Sequence, residues 1–206
     1  MSTISVALLL LALTILPVRA ETIKLLALGD SLTAGLGLDA SEAFPAQLEN
    51  ALRAKGHDVV VINAGVSGDT AQQGAERLDW VLTDDVDIVL VELGANDALR
   101  GLPVNQAEAA LDQIISKLVA KKLRVLLLGM KAPPNLGPDY VKEFDGAYSR
   151  LAHKHGLALY GFFLEGVAAN AALNQADGIH PTAEGVTVIV EKLLPYVEKL
   201  LILPQP

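Results

Sequence analysis

The sequence predicts an α/β domain in which five parallel strands lie between two layers of helices, and three observations carry that prediction. After Glu21, short β-branched or Leu-rich runs alternate with longer amphipathic stretches, the pattern of βαβ units. The composition is aliphatic: 51% of the 206 residues are apolar and only 4% aromatic, which suits a core of Val, Leu, Ile and Ala between parallel strands and helices. Glycines stand where helices should end, Gly56 after Lys55 and Gly156 after His155, each just ahead of a strand. A chain of this length holds one such domain and is too short for two of ordinary size.

The strands read as Ile23 to Leu28, Asp58 to Ile62, Asp87 to Leu93, Arg124 to Gly129 and a short one from Leu157 to Tyr160. Helical periodicity shows at Phe44, Leu48, Ala51 and Leu52, and again at Leu111, Ile114, Ile115, Leu118 and Val119, faces that should pack on the sheet. The last helix spans about Thr182 to Leu201, and Pro195 inside it predicts a kink or an early end. Five such strands suggest a flavodoxin-like three-layer sandwich of order 2-1-3-4-5. In that order ligands bind beyond the carboxyl ends of the strands, between the first and the third. The loops there are Gly29-Asp30-Ser31-Leu32-Thr33 and Gly94-Ala95-Asn96-Asp97, so two polar clusters should face one crevice.

The N-terminus is a separate element. Ile4 to Val18 is almost wholly apolar and leads into Val18-Arg19-Ala20, which fits a signal peptide over residues 1–20 cut after Ala20, with a single domain over 21–206. Export to the periplasm or medium follows, with no stable membrane insertion once the segment is removed. Met1-Ser2-Thr3 brings no Lys or Arg, so an uncleaved anchor is the alternative, although the run is shorter than the ~20 apolar residues that span a bilayer comfortably. The formal charge of −8 repels phosphate backbones and argues against a nucleic-acid partner. The absence of cysteine excludes disulfides, thiolate metal sites and thiol catalysis.

Chemistry gathers in the loops. A serine hydroxyl attacks only if a base takes its proton and donors hold the resulting oxyanion. Gly29 allows a tight turn after a buried strand, and the N-terminus of the helix that follows would direct N–H groups toward an anion. In isolation Gly-Asp-Ser is also common turn and cap chemistry. Near the C-terminus stands Asp177-Gly178-Ile179-His180-Pro181. A carboxylate three positions before an imidazole can fold back onto Nδ1–H while Nε2 points at a nucleophile. Ser67-Gly68-Asp69-Thr70 and Asn96 supply candidate oxyanion donors, since glycine permits close backbone approach and an amide donates to a developing alkoxide. Each loop alone could be only caps and turns; together they form one coherent set of acyl-transfer parts.

These blocks resemble, in order, those of the SGNH (GDSL-type) hydrolases. Gly29-Asp30-Ser31-Leu32 is similar to the first, Gly68 to the second, Gly94-Ala95-Asn96-Asp97 to the third and Asp177-Gly178-Ile179-His180-Pro181 to the last. Met130-Lys131-Ala132-Pro133-Pro134-Asn135-Leu136-Gly137 resembles the small periplasmic arylesterases, acyl-thioesterases and lysophospholipases of that superfamily. The resemblance implies a serine esterase with Ser31 as nucleophile, His180 as base and Asp177 as its orienter. It implies an oxyanion hole of the Ser31 N–H, the Gly68 N–H and the Asn96 side chain, with no cofactor or metal. The implied substrate is a small acyl ester or thioester.

Two other readings compete. One is deacetylation of a carbohydrate by the same machinery. The other is a flavodoxin-like module holding phosphate at the first loop, which would need neither Asp177 nor His180. Leu36, Leu38, Leu99, Leu102 and Leu136 favour an aliphatic or aryl acyl group, or else pack the loops down. His153 and His155 fall in one helical turn but on different faces, a poor metal pair, and His57 reads as a solvated turn residue. Asp30 and Asp97 read as acceptors for loop N–H groups.

Overall fold

The computed structural model describes residues 22–203. The segment predicted as a signal peptide, with its cut after Ala20, lies outside the described residues. Five strands, β1 (Ile23–Gly29), β2 (Val59–Gly65), β3 (Ile88–Glu92), β4 (Arg124–Leu128) and β5 (Ala158–Tyr160), form one parallel sheet of order β2-β1-β3-β4-β5. This is the predicted order.

The central strands carry β-branched and Leu residues on both faces because both are covered. Leu25, Leu26, Leu28, Val89, Leu90 and Leu126 are fully buried. From β1 the chain steps to one side to make β2, then crosses back past β1 to β3, β4 and β5. Right-handed crossovers therefore send α2 (Phe44–Ala54) to one face and α3 (Ala71–Val81), α5 (Val104–Ala120) and α6 (Pro138–His155) to the other. The final helix, α7 (Ala183–Ile202), returns to pack beside α2. Two short helices, α1 (Ser31–Ala34) and α4 (Ala95–Leu99), start at the carboxyl ends of β1 and β3.

Two expectations need correction. The last helix does not end early at Pro195 but continues to Ile202. Pro195 sits on the exposed side, where water can satisfy the carbonyl that loses its partner, while Leu193, Val197 and Leu200 hold the other side to the sheet. The end of this helix is clamped by Arg124 at the start of β4, whose Nη1 donates to the carbonyls of Leu200 (2.9 Å) and Leu203 (3.2 Å). His57 is no free turn residue: its Nε2 lies 3.2 Å from Glu198 Oε1 on α7.

Candidate active site

The turn from β1 into α1 is set by its backbone partners. Asp30 caps α1, its Oδ1 accepting from the Leu32 N–H at 3.0 Å. Ser31 follows as the first helical residue, largely buried but open to a cavity at the carboxyl edge of the sheet. Among the described residues no acceptor meets the Ser31 N–H, as the first turn of a helix leaves it unpaired. Arg77 on α3 steadies the turn from the side, donating to the Gly29 carbonyl at 2.9 Å and to Asp69 Oδ2 at 2.6 Å.

The loop before α7 brings the imidazole. Asp177 Oδ1 accepts from the backbone N–H groups of Ile179 (2.9 Å) and His180 (3.0 Å), which folds the loop back on itself. Its Oδ2 then lies 2.7 Å from His180 Nδ1, and His180 Nε2 lies 2.9 Å from Ser31 Oγ. The N–H groups of His180 and Ile179, with the imidazole, hold the Asp177 carboxyl well below the usual carboxylate range. With Asp177 ionised, Nδ1 carries the ring hydrogen and leaves the Nε2 lone pair toward Ser31.

This loop is anchored by a residue the sequence reading passed over. Gln175 Nε2 donates to Leu36 O (2.7 Å) and Pro181 O (2.9 Å), tying the histidine loop to the segment after α1. Thr182 then caps α7.

The third group comes from the loops after β2 and β3. Gly94 caps α4 at φ +110°, a conformation that favours glycine, and a Cβ there would lie 2.3 Å from the Tyr148 hydroxyl. That turn delivers Asn96, whose Nδ2 donates to Asp30 Oδ2 (3.2 Å) and to the Asp69 carbonyl (3.1 Å). Next to it Asp97 Oδ2 accepts from the Ala71 N–H at 2.8 Å, joining the β3 loop to the start of α3; burial raises its carboxyl. Among the described residues the Gly68 N–H meets no acceptor, and Gly68, Asn96, Ser31 and His180 all line one cavity of about 450 Å³.

The rest of that cavity is mostly apolar, with Asp30, Lys131 and Asn174 as its other polar lining residues. Leu36 and Leu99 line it as the sequence suggests, but Leu38, Leu102 and Leu136 do not; Leu38 and Leu136 pack against the core instead. The wall is completed by Met130, Ala132, Phe162 and Ile179, the first two from the segment after β4 and Phe162 from the turn after β5. Met130, Ala132 and Ile179 fall in blocks the sequence singled out, though not as cavity wall; Phe162 had no such mark, since the loops that meet here are far apart in sequence.

Known proteins resemble this chain in sequence and in fold. The sequence model of the GDSL-like lipase/acylhydrolase family matches residues 27–188. Esterase TesA of Pseudomonas aeruginosa is 41% identical over 93% of this chain and 96% of its own. The thioesterase 1/protease 1/lysophospholipase L1 of Escherichia coli K12 is 40% identical over 88% of this chain and 86% of its own. Among solved structures, the SGNH-hydrolase family esterase AlinE4 superposes with a TM-score of 0.75 at 47% identity, covering 90% of this chain and all of that one. The chain therefore belongs to the GDSL-like lipase/acylhydrolase family, the SGNH hydrolases.

Proposed function

We propose that this protein hydrolyses small carboxylic esters and thioesters through an acyl-enzyme, with Ser31 as nucleophile, His180 as general base and Asp177 as the carboxylate that orients it. The observation that carries the reading is the unbroken chain of contacts from Asp177 through His180 to Ser31 at the mouth of an apolar cavity. His180 Nε2 takes the Ser31 proton as Oγ attacks the acyl carbon, and the imidazolium formed is stabilised by Asp177. The proton then passes to the leaving alcohol or thiol, and water repeats the cycle on the acyl-enzyme.

The oxyanion is received by the unpaired N–H groups of Ser31 and Gly68 and by the Asn96 amide. Both Asn96 Nδ2 hydrogens are engaged in the free site, by Asp30 and by the Asp69 carbonyl, so receiving the oxyanion requires one of them to be shared. The cavity favours an aliphatic or aryl acyl group over a sugar, because its wall offers few polar partners. Such a reading is supported by relatives named esterase, arylesterase and thioesterase. Export with cleavage after Ala20 completes the proposal, supported by the apolar run Ile4 to Val18. The direct test is hydrolysis of a chromogenic short-chain aryl ester by the parent and by Ser31→Ala; turnover retained by the variant would sink the assignment.

A further inference from the structure

Glu92 ends β3, is buried, and has no part in the scheme above. It sits opposite Gly29 in the sheet register, directly beneath the turn that presents Ser31. Its Oε2 accepts from the Thr33 hydroxyl at 2.7 Å and from the Asp30 N–H at 3.3 Å, whereas its Oε1 meets no hydrogen-bond partner. A Cβ on Gly29 would fall 2.1 Å from Thr33 Oγ1 and 2.5 Å from Glu92 Oε2. The glycine before the nucleophile turn is therefore what makes room for the Glu92–Thr33 bond.

Asp30, fully buried above it, has a different set of partners. One carboxylate oxygen holds the Leu32 N–H and the other holds the Asn96 amide, so this side chain links the nucleophile turn to the loop after β3. Rotating the Asn96 amide by half a turn would set its carbonyl against a carboxylate and the Asp69 carbonyl, so these acceptors fix the orientation of the amide, with Nδ2 toward Asp30 and Asp69.

We propose that Asp30 and Glu92 are positioning residues for ester hydrolysis, Glu92 holding the Ser31 turn from below and Asp30 aiming the Asn96 amide at the oxyanion. The part played by Asn96 rests on the oxyanion reading given above. Two buried carboxyls this close cannot both ionise. Burial, and then the Asp30 charge, push Glu92 well above its ordinary range, so Glu92 keeps a proton and Asp30 keeps the charge. The contacts fit that division: Oε2 accepts from both donors, as the carbonyl oxygen of an acid does, while Oε1 meets no hydrogen-bond partner. The ionisable groups facing the pair are Asp69 after β2, His180 before α7, Tyr148 on α6, and Arg77 on α3, which bonds Gly29 and Asp69.

The test uses near-isosteric changes in the whole chain with the aryl ester as probe. Asn caps a helix as well as Asp does, so Asp30→Asn keeps the bond to Leu32 while turning a donor toward the Asn96 amide. Its kcat should fall about 10- to 100-fold with KM within about twofold, and the thermal midpoint should not drop. Glu92→Gln retains an acceptor for Thr33 and Asp30, and Glu92→Leu removes it; the Gln variant should turn over at least about tenfold faster than the Leu variant. This second pair keeps the idea open to refutation if Asp30→Asn does not fold. A folded Asp30→Asn enzyme with parental kcat, beside an Asn96→Ala enzyme that has lost it, overturns the positioning role and leaves the oxyanion reading standing. Parental kcat in Asn96→Ala as well removes both. Equal losses in Glu92→Gln and Glu92→Leu overturn the role of Glu92.

Discussion

His180 Nε2 lies 2.9 Å from Ser31 Oγ although the two residues are 149 positions apart. The fold closes that gap by setting both at the carboxyl edge of the sheet, one where the first strand ends and the other where the last helix begins. A contact so remote in sequence should have a covalent signature. A phosphonate or sulfonyl fluoride should add to Ser31 and abolish turnover, and peptide mass mapping should find the adduct there. His180→Ala should lose nearly as much activity as Ser31→Ala, since the members of such a group act as a unit. An adduct on another serine would redirect the search for the nucleophile.

Asn96 offers a quantitative check. Asn96→Ala should lower kcat by ~10² to 10³, about 3 to 4 kcal/mol of transition-state stabilisation, with KM much less affected. A variant with near-normal kcat and a lowered thermal midpoint would make Asn96 a structural residue and leave the oxyanion to the backbone groups of Ser31 and Gly68.

The buried carboxyl of Asp30 makes a pH prediction with a definite sign. Burial raises it from 3.8 to about 6, against opposing hydrogen bonds from Leu32 and Asn96. Between those values the folded protein holds a proton that the unfolded chain has released, so this group makes stability fall as pH rises through that window. Asp177 acts oppositely: its depressed carboxyl adds stability at pH above the usual carboxylate value, and that contribution is lost on acidification. Urea midpoints taken from pH 4 to pH 7 should show a downward contribution that disappears in Asp30→Asn. An unchanged slope in that variant would assign the effect elsewhere.

Gly29→Ala should be damaging out of proportion to one methyl group. The added carbon meets the Thr33 hydroxyl and the Glu92 carboxyl, so the turn must shift, at a cost of about 1 to 3 kcal/mol and with most of the turnover lost. Calorimetry and a single ester assay on the purified variant suffice. Parental stability and rate would mean that the turn yields more easily than its packing implies.

Export has its own readout. N-terminal sequencing of protein recovered from an exporting host should begin at Glu21. Intact Met1 in the membrane fraction would favour the anchor.

The sheet was legible because its strands are buried on both faces and stand out as aliphatic runs; even Ala158 to Tyr160, only three residues long, could be placed by the glycine before it. Ser31, Asp177 and His180 were legible because two of them lie three residues apart and the third follows a glycine turn. What escaped was chemistry that depends on depth. Glu92 reads as the next-to-last residue of the strand from Asp87 to Leu93, and nothing local says that its carboxyl lies under Gly29; a charged residue between Ile-Val-Leu-Val and Leu93 was the available signal. Gln175 and Phe162 escaped for another reason, since long-range loop contacts leave no periodicity.

The proposed base and its orienting carboxylate occupy a single stretch of four residues, and that stretch hangs between the turn at Gln175 and the cap at Thr182. The proposed proton-handling half of the site is thus a single short segment of the chain. Because Ile179 within that stretch also lines the cavity, changes made there should move acyl preference and proton chemistry together, whereas changes at Leu36, Leu99 or Met130 should move acyl preference alone.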